Sequence, residues 1–320
     1  MIGEDWQTRQ SGDLVVLVLH LRTRPSSARR FMLMAKMSEP ESRIRNISDT
    51  ARWVAVYRAR ETERRDAVFR DAFARGLAGE RGEQIAASIS FAEKNSWPFV
   101  ARTWLIDQVI SNQVKLGTDM VVNLAAGLDA RPYRMNLPAS LQWIEVDLPE
   151  ILAHKEDVLR NETPVCQVER VRLDLCDMRA RGELFSQLDR RANRALVISE
   201  GLLVYLDEKQ VTSLGQDLAV VPSFQHWVID LASPALLKML AKKMGAPLDQ
   251  AGAPLKFAPR EGPDFFASSG WKPVEIHSVM HAAAKLKRLP FFLRLIAKIS
   301  SPAFQPRRPW SAVCLLAREL

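Results

Sequence analysis

The sequence has 320 residues, of which 47% are hydrophobic and 26% charged, a composition that excludes a disordered or fibrous chain. Its three cysteines, Cys166, Cys176 and Cys314, show neither the pattern of a disulfide framework nor the spacing of a zinc site. The apolar run at residues 14–21 is too short to cross a bilayer, and acidic residues precede it where a secretory signal would be basic. We therefore expect a cytoplasmic protein with no metal and no membrane partner.

The 45 basic residues outnumber the 37 acidic ones, and the resulting net charge of +8 raises the question of an anionic partner. The basic residues are spread from Arg22 to Arg318 and are interleaved with acids, as in RARETERRD at residues 58–66. Such mixing is typical of solvated helix faces, and no segment resembles an RNA-binding strand. We expect no nucleic-acid partner, and the sequence leaves a homo-oligomer open.

The first part of the chain divides into an extension and a helical segment. Residues 1–40 show no helical period, and we expect a poorly ordered extension there, or a translation start at Met34 or Met37. From Ile47 to Leu116 apolar residues recur at helical spacing, and the pattern stops at Gly117. This pattern predicts a cap of helices over residues 41–118.

Strands alternate with helices in the remainder of the chain. The apolar runs DMVVNLA, LQWIEVDLP, VCQVERVRLDL, RALVISEGLLVYL and FQHWVIDLA are typical of strands, and helical segments separate several of them. Two further strands are predicted at WKPVEIHSVM and WSAVCLLAREL, with a basic helical insertion around residues 281–305. We therefore expect an α/β domain over residues 119–320 with a mainly parallel sheet of seven strands.

Acidic residues follow three successive predicted strands, beside a turn that contains one glycine. The turn holds Gly127, and the acids are Asp147, Asp174 and Glu200. Ligands of open α/β sheets bind at this edge, and an acid about twenty residues past the glycine suits a ribose diol. Repeated carboxylates would repel the pyrophosphate of a dinucleotide. They suit S-adenosylmethionine, which has an adenosine, a sulfonium cation and no phosphate.

The motifs VVNLAAGLDARPYRM, WIEVDLPEIL, RLDLCD and LVISEGLLVYL resemble, in this order, those of the leucine carboxyl methyltransferase family. Together with flanking motifs, the resemblance covers Ile47 to Leu320 and is closest to a bacterial branch similar to polyketide carboxyl O-methyltransferases. It implies a class I methyltransferase (Rossmann-like) fold and S-adenosylmethionine as cofactor. It further implies O-methylation as the reaction.

The resemblance also implies roles for individual residues. Arg102 would pair with the methionine carboxylate of the cofactor, and Gly127 would lie under its methionine moiety; Ala125, where some members have glycine, would also bind the cofactor. Asp147 would bind the ribose in preference to Glu145, which points to the same face of its strand. Asp174 and Leu175 would lie beside the adenine, and Glu200 near the methionine end. Ala130 stands where the family often has threonine, so one hydroxyl contact to the cofactor would be lost or replaced by water.

The acceptor determines whether a base is needed. A carboxylate is ionised at neutral pH and needs none, whereas a phenol would require a base such as His277, His281 or Tyr205. We assign no catalytic residue and take Tyr205 as a candidate for the lining of the substrate pocket. We expect this pocket between the N-terminal helices and the basic insertion.

Three functions remain open at this point. The first is S-adenosylmethionine-dependent O-methylation of a small carboxylic acid or phenol, such as a polyketide. The second is carboxyl methylation of a protein or peptide C-terminus. The third is a non-catalytic nucleotide-binding or nucleic-acid-associated protein.

Overall fold

The computed structural model describes residues 47–88, 96–250, 252–299 and 305–319. Within these ranges the strands are β1 (Met120–Leu124), β2 (Gln142–Asp147), β3 (Gln167–Arg172), β4 (Ala195–Ser199), β5 (Phe224–Ala232), β6 (Trp271–Ser278) and β7 (Ser311–Arg318). They form one sheet in the order β3-β2-β1-β4-β5-β7-β6. Strands β1 to β5 are parallel, and β7 runs antiparallel between β5 and β6. The predicted seven-stranded, mainly parallel sheet is confirmed.

The central strands β1 and β4 are apolar except for the buried Asn123 and Ser199, because helices cover both faces of the sheet. Every residue of β1 and β4 is buried. Alternate side chains of β1 enter different cores, with Val122 in one and Val121 in the other. This burial explains why these strands have nearly continuous apolar sequences without a polar face.

Ten α-helices surround the sheet in the described part of the chain. They are α1 (Ile47–Thr62), α2 (Ala74–Ser88), α3 (Trp97–Lys115), α4 (Arg131–Arg134), α5 (Pro149–Leu159), α6 (Met178–Asp189), α7 (Glu208–Ala219), α8 (Pro234–Gln250), α9 (Val279–Lys285) and α10 (Phe291–Ile299). Two 3₁₀ helices span Leu203–Tyr205 and Gly262–Ser269. The helical pattern predicted from Ile47 to Leu116 is confirmed by α1, α2 and α3. The sequence analysis missed α8, because Gly245 and Pro247 disfavour a helix of that length.

The N-terminal helices pack against the loop that follows β1. Trp53 and Tyr57 of α1 share a buried cluster with Leu128 of this loop and Ile151 of α5. The Trp53 indole donates to the Tyr57 hydroxyl at 2.7 Å. This packing places the first turns of α1 over the carboxyl edge of the sheet, where ligands of such folds bind.

Parts of the predicted domain division lie outside the described residues. These are the extension at residues 1–40, the first residues of the helical cap and residues 300–304 of the insertion. The described residues of the insertion form α9 and α10. No helix in the described ranges has the length and apolar character needed to cross a membrane.

Candidate functional site

A cavity of about 490 Å³ opens at the carboxyl ends of the parallel strands. Acidic side chains at or near the carboxyl ends of the strands line one part of it: Asp129, Asp147, Asp174, Glu200 and Asp230. All the residues predicted to touch the cofactor lie in its wall, namely Arg102, Ala125, Gly127, Asp147, Asp174, Leu175 and Glu200. The structure therefore brings the predicted site residues together in one cavity.

The turn after β1 has an unusual backbone that brings it close to α1. Gly127 has a φ of +50° and Ala125 a φ of +52°, a region that a side chain disfavours. A Cβ on residue 127 would lie 3.3 Å from the Cβ of Ala51 in α1. The glycine therefore allows the backbone to pass under the helix with a conformation that other residues rarely adopt.

Asp147 holds this turn in place from the end of β2. One of its carboxylate oxygens accepts from the Gly127 N–H at 2.6 Å, and the other accepts from the Leu148 N–H at 2.7 Å. Burial raises the pKa of Asp147 above its ordinary value, and the two backbone hydrogen bonds only partly offset this effect. Asp147 is thus oriented toward the cavity by main-chain donors.

Glu145 points to the same face of β2 as Asp147, but its environment is different. It is fully buried and accepts from the Lys155 ammonium at 2.7 Å and the Arg170 guanidinium at 2.9 Å. It is absent from the cavity wall. Glu145 is therefore a structural ion-pair residue, and Asp147 is the β2 acid that a ligand can reach.

Arg102 connects α3 to the ends of two strands. Its Nε donates to Glu200 at 3.0 Å, and its Nη1 donates to Asp230 at 2.8 Å. Asp230 also accepts from the Gly201 N–H at 2.6 Å. Burial lowers the pKa of Arg102, but Asp230 and Glu200 outweigh burial and raise it above the ordinary value. The guanidinium is therefore charged and held between two carboxylates.

Arg131, which the sequence analysis did not single out, lies behind this layer of acids. It is almost fully buried and donates from Nη1 to Asp129 at 2.7 Å and to Glu200 at 2.8 Å, and from Nε to Asp107 at 2.7 Å. Burial raises the pKa values of Asp129 and Glu200, but Arg131 leads the charges that reverse the effect and hold both below their ordinary values. One buried cation thus keeps two cavity carboxylates ionised.

The sequence held a signal for Asp230 but none for Arg131. Asp230 lies two residues before the end of β5, so an acid near the carboxyl end of a fifth predicted strand was the signal for it. Arg131 and Arg134 stand three residues apart in the loop motif and both donate to Asp107 of α3. An arginine is usually exposed, so only its partners from distant segments identify it as buried.

The other part of the cavity is apolar. The prediction that the basic insertion forms one of its walls is wrong. The N-terminal helices contribute as expected, with Trp53, Trp97 and Phe99. The opposite wall comes from α8 and the segment after it, with Leu236, Met239, Leu240, Leu248, Leu255 and Phe257. No described residue of α10 lines the cavity, and α9 contributes only its first residue, Val279. Helix α9 instead packs its alanines against α3 on the other face of the sheet.

The two histidines considered as bases for a phenol are not in the cavity wall. His277 pairs with Glu275 on β6 at 2.8 Å, and the His281 ring contacts the Ser278 hydroxyl at 2.9 Å. Neither histidine is therefore placed to act as a base on an acceptor bound in this cavity. Tyr205 does line the cavity, as predicted, and hydrogen-bonds with Thr50. Burial raises the pKa of Tyr205 above its ordinary value.

Ala130 is fully buried and does not line the cavity. It belongs to the cluster formed by α1 and α2, and it precedes α4 without a side-chain cap.

Within the described ranges, no group of three metal-binding side chains could hold a metal ion.

Residues 51–219 match the family model described as leucine carboxyl methyltransferase. Two proteins of Frankia alni are similar. One is 37% identical over 52% of this chain and 61% of its own length, and the other is 32% identical over 67% of this chain and 81% of its own length. A protein of Streptomyces avermitilis is 27% identical over 88% of this chain and its whole length. All three are named for S-adenosyl-L-methionine-dependent methyltransferase activity.

Among solved structures, a DUF574 family protein from Streptomyces avermitilis has a TM-score of 0.53 at 12% identity. The similarity covers 85% of this chain and 97% of the other, and it supports the fold alone. The strand order defines the class as an α/β protein with a seven-stranded, mainly parallel sheet, and the family match spans residues 51–219. The chain belongs to the leucine carboxyl methyltransferase family.

Proposed function

We propose that the protein transfers the methyl group of S-adenosylmethionine to a carboxylate oxygen of a small metabolite, such as a polyketide acid. The observation that supports this proposal best is that a single cavity has both an acidic wall and an apolar wall. One wall carries the acids at the strand ends, and the other carries apolar side chains of α1, α3 and α8. Such a cavity can hold the cofactor and an apolar acceptor side by side.

The chemistry of the lining fits this cofactor. Five carboxylates face two guanidiniums, Arg58 and Arg102, so the wall favours a cationic ligand over a pyrophosphate. The close approach at Gly127 gives the slim methionine moiety a path over the turn. When bound, S-adenosylmethionine supplies a methyl group activated by the sulfonium cation.

We assign the cofactor contacts as the family resemblance implies. Asp147 would accept from the ribose hydroxyls, and Arg102 would hold the methionine carboxylate with its planar fork. Gly127 would pass beneath the methionine moiety, near Glu200, and Ala125 would also bind the cofactor. Asp174 and Leu175 would bind and pack against the adenine.

The cavity wall supports a carboxylate acceptor over a phenol. No histidine occurs among the described residues that line it, and the raised pKa of Tyr205 makes this residue a poor base near neutral pH. A carboxylate needs no proton removed. The protein would then act by aligning the acceptor oxygen and by excluding water.

The test is transfer of an isotope-labelled methyl group to the small-molecule fraction of cells that express the protein. A methyl ester is cleaved by mild base, whereas an aryl methyl ether is stable. The proposal predicts a base-labile labelled product that disappears with Asp147→Ala. A base-stable product would identify a phenol as acceptor, and label on added peptide C-termini would favour the protein methyltransferase alternative. No transfer to any fraction would reject the proposal.

A further inference from the structure

The two cations in the cavity wall are both already engaged by protein groups. Arg58 donates from Nε to Asp71 at 2.9 Å and from Nη2 to the Leu128 carbonyl at 2.5 Å. Arg102 donates to Glu200 and Asp230. Among the described residues that line the cavity, no other lysine or arginine occurs. The donors of Arg102 that these contacts leave over are assigned to the methionine carboxylate of the cofactor, so an anionic group on the acceptor would find no available cation there once the cofactor is bound.

The acidic residues of the cavity wall further disfavour an anionic group on the acceptor. Asp129, Asp147, Asp174, Glu200 and Asp230 give the lining an excess of negative charge over its two arginines. A reacting carboxylate is a special case, because it faces the sulfonium of the cofactor. A second carboxylate on the acceptor would lose its hydration and gain no partner, which is strongly unfavourable.

The lysine side chains of helix α8 do not line the cavity. Leu236, Met239 and Leu240 line the cavity, with Met239 36% exposed at its edge, whereas the exposed Lys238 and Lys242 are absent from its wall. The Leu255 and Phe257 side chains extend the same apolar surface beyond the helix. This wall can gain free energy by removing apolar acceptor surface from water.

We propose that the acceptor carries a single ionised group, the reacting carboxylate, on an uncharged apolar body. This inference rests on the proposed function and names the substrate class for the same site. It excludes dicarboxylic acids and acidic peptides as good acceptors. The selectivity comes from the α8 wall and from the engagement of Arg58 and Arg102.

Matched pairs of acids test the inference. Octanoate is compared with octanedioate, and 2-naphthoate with 2,6-naphthalenedicarboxylate, in methyl transfer and in calorimetric binding to the protein with S-adenosylhomocysteine. The second carboxylate replaces the terminal methyl group of octanoate in the first pair and a ring hydrogen of 2-naphthoate in the second. We expect the monoacid to be preferred by about 100-fold or more, the scale of one unpaired buried charge. From hexanoate to decanoate, kcat/KM should rise up to about fourfold per methylene.

A charge placed in the wall should change this preference. In Met239→Lys the new ammonium would offer the second carboxylate a partner, so the diacid should gain at least about tenfold relative to the monoacid. Val220→Lys is the matched control, because Val220 is exposed and absent from the cavity wall. It should leave the ratio unchanged, and both variants should bind S-adenosylmethionine as the wild type does.

The outcomes separate the two proposals. Equal use and equal binding of monoacids and diacids would overturn this inference while carboxyl methylation stood. Selective binding of monoacids without any methyl transfer would uphold the inference on the cavity and reject the proposed reaction. A monoacid preference that Met239→Lys leaves unchanged would assign the selectivity to another surface and overturn the role of the α8 wall.

Discussion

Arg102 and Asp230 join helix α3 to the end of β5, with Nη1 of the arginine 2.8 Å from Oδ2 of the aspartate. The other oxygen of Asp230 accepts from the Gly201 N–H, so the same carboxylate fixes the turn after β4. Arg102 also donates to Glu200 at the start of this turn. The network therefore orients the cation proposed to hold the cofactor carboxylate before any ligand arrives.

Replacing Arg102 should affect both binding and stability. Arg102→Ala removes the proposed partner of the methionine carboxylate, and affinity for S-adenosylmethionine should fall about 10- to 100-fold. It also leaves Glu200 and Asp230 close together without their cation, so thermal stability should fall. Calorimetry and thermal melts of Arg102→Ala and Arg102→Lys measure the two effects. Wild-type affinity in Arg102→Ala would remove this residue from the cofactor site.

Asp147 should make cofactor binding dependent on pH. Its pKa lies above the ordinary 3.8 because of burial, and ribose hydroxyls need the ionised carboxylate as acceptor. Affinity should therefore fall as the pH falls through this raised pKa. The stability of the protein depends on pH in the opposite direction. Because the folded state binds the proton of Asp147 more tightly than the unfolded state does, the contribution of Asp147 to the free energy of unfolding falls as the pH rises.

The control for this pH dependence is Asp147→Asn, which keeps the shape and removes the titration. Its affinity should be lower than that of the wild type and flat over the same pH range. Glu200 and Asp129 have lowered pKa values and should titrate only at more acidic pH. An unchanged pH profile in Asp147→Asn would contradict the assignment of this carboxylate.

Arg131 should be important for stability, because it is the buried partner of three carboxylates. Arg131→Met leaves Asp107, Asp129 and Glu200 without this cation, and we expect a loss of about 3–5 kcal/mol in the free energy of unfolding. Arg179→Met is the matched control, since the Arg179 side chain is 89% exposed in its pair with Glu183 and should cost no more than about 1 kcal/mol. Urea denaturation measures both, and equal losses would refute the role of Arg131.

Ala125 provides a test of the backbone at the turn after β1. Its φ of +52° is unfavourable for alanine, so Ala125→Gly should raise the free energy of unfolding by about 0.5–1 kcal/mol. Ala126 is the neighbouring control, because its φ is not positive. Glycine at this position relieves no backbone strain and only raises the conformational entropy of the unfolded chain. Ala126→Gly should therefore be destabilising. Destabilisation by Ala125→Gly would show that the methyl group's packing outweighs the backbone strain.

Cys176 offers a chemical probe of the cavity. It is exposed and lines the cavity beside Leu175, whereas Cys166 and Cys314 are buried. Burial raises the pKa of Cys166 to about 11 and, together with Asp174, also raises that of Cys176, so exposure is what should let a thiol reagent modify Cys176 alone in the native protein. S-adenosylmethionine at ten times its Kd should slow the reaction about tenfold. Mass spectrometry locates the modified residue, and an unprotected Cys176 would argue against adenine binding at this position.

The sequence analysis predicted most of the fold because burial on both faces of the sheet imposes continuous apolar strands. It also predicted the acids Asp147, Asp174 and Glu200 at the cavity, because parallel strands end at one edge of the sheet. It missed Arg131 because a buried arginine is defined by partners far away in sequence, such as Asp107 and Glu200. No local pattern encodes such contacts.

The apolar wall of the cavity was harder to predict for a different reason. The basic insertion and α8 have similar mixtures of leucine and lysine, and composition does not reveal which helix faces the cavity. Packing of α9 against α3 places the insertion on the other face of the sheet, and α8 follows β5 directly at its carboxyl end. Tertiary contacts, rather than helix propensity, decide this choice.

The central claim is that the cavity at the strand ends binds S-adenosylmethionine through acids and a single glycine turn. Calorimetric titration of the full chain with S-adenosylmethionine, and separately with NAD, tests it most directly. The account predicts binding of S-adenosylmethionine at one site, no comparable binding of NAD, and loss of binding in the folded Arg102→Ala/Asp147→Ala double variant. No heat with S-adenosylmethionine, tight binding of NAD, or wild-type affinity in the double variant would contradict it.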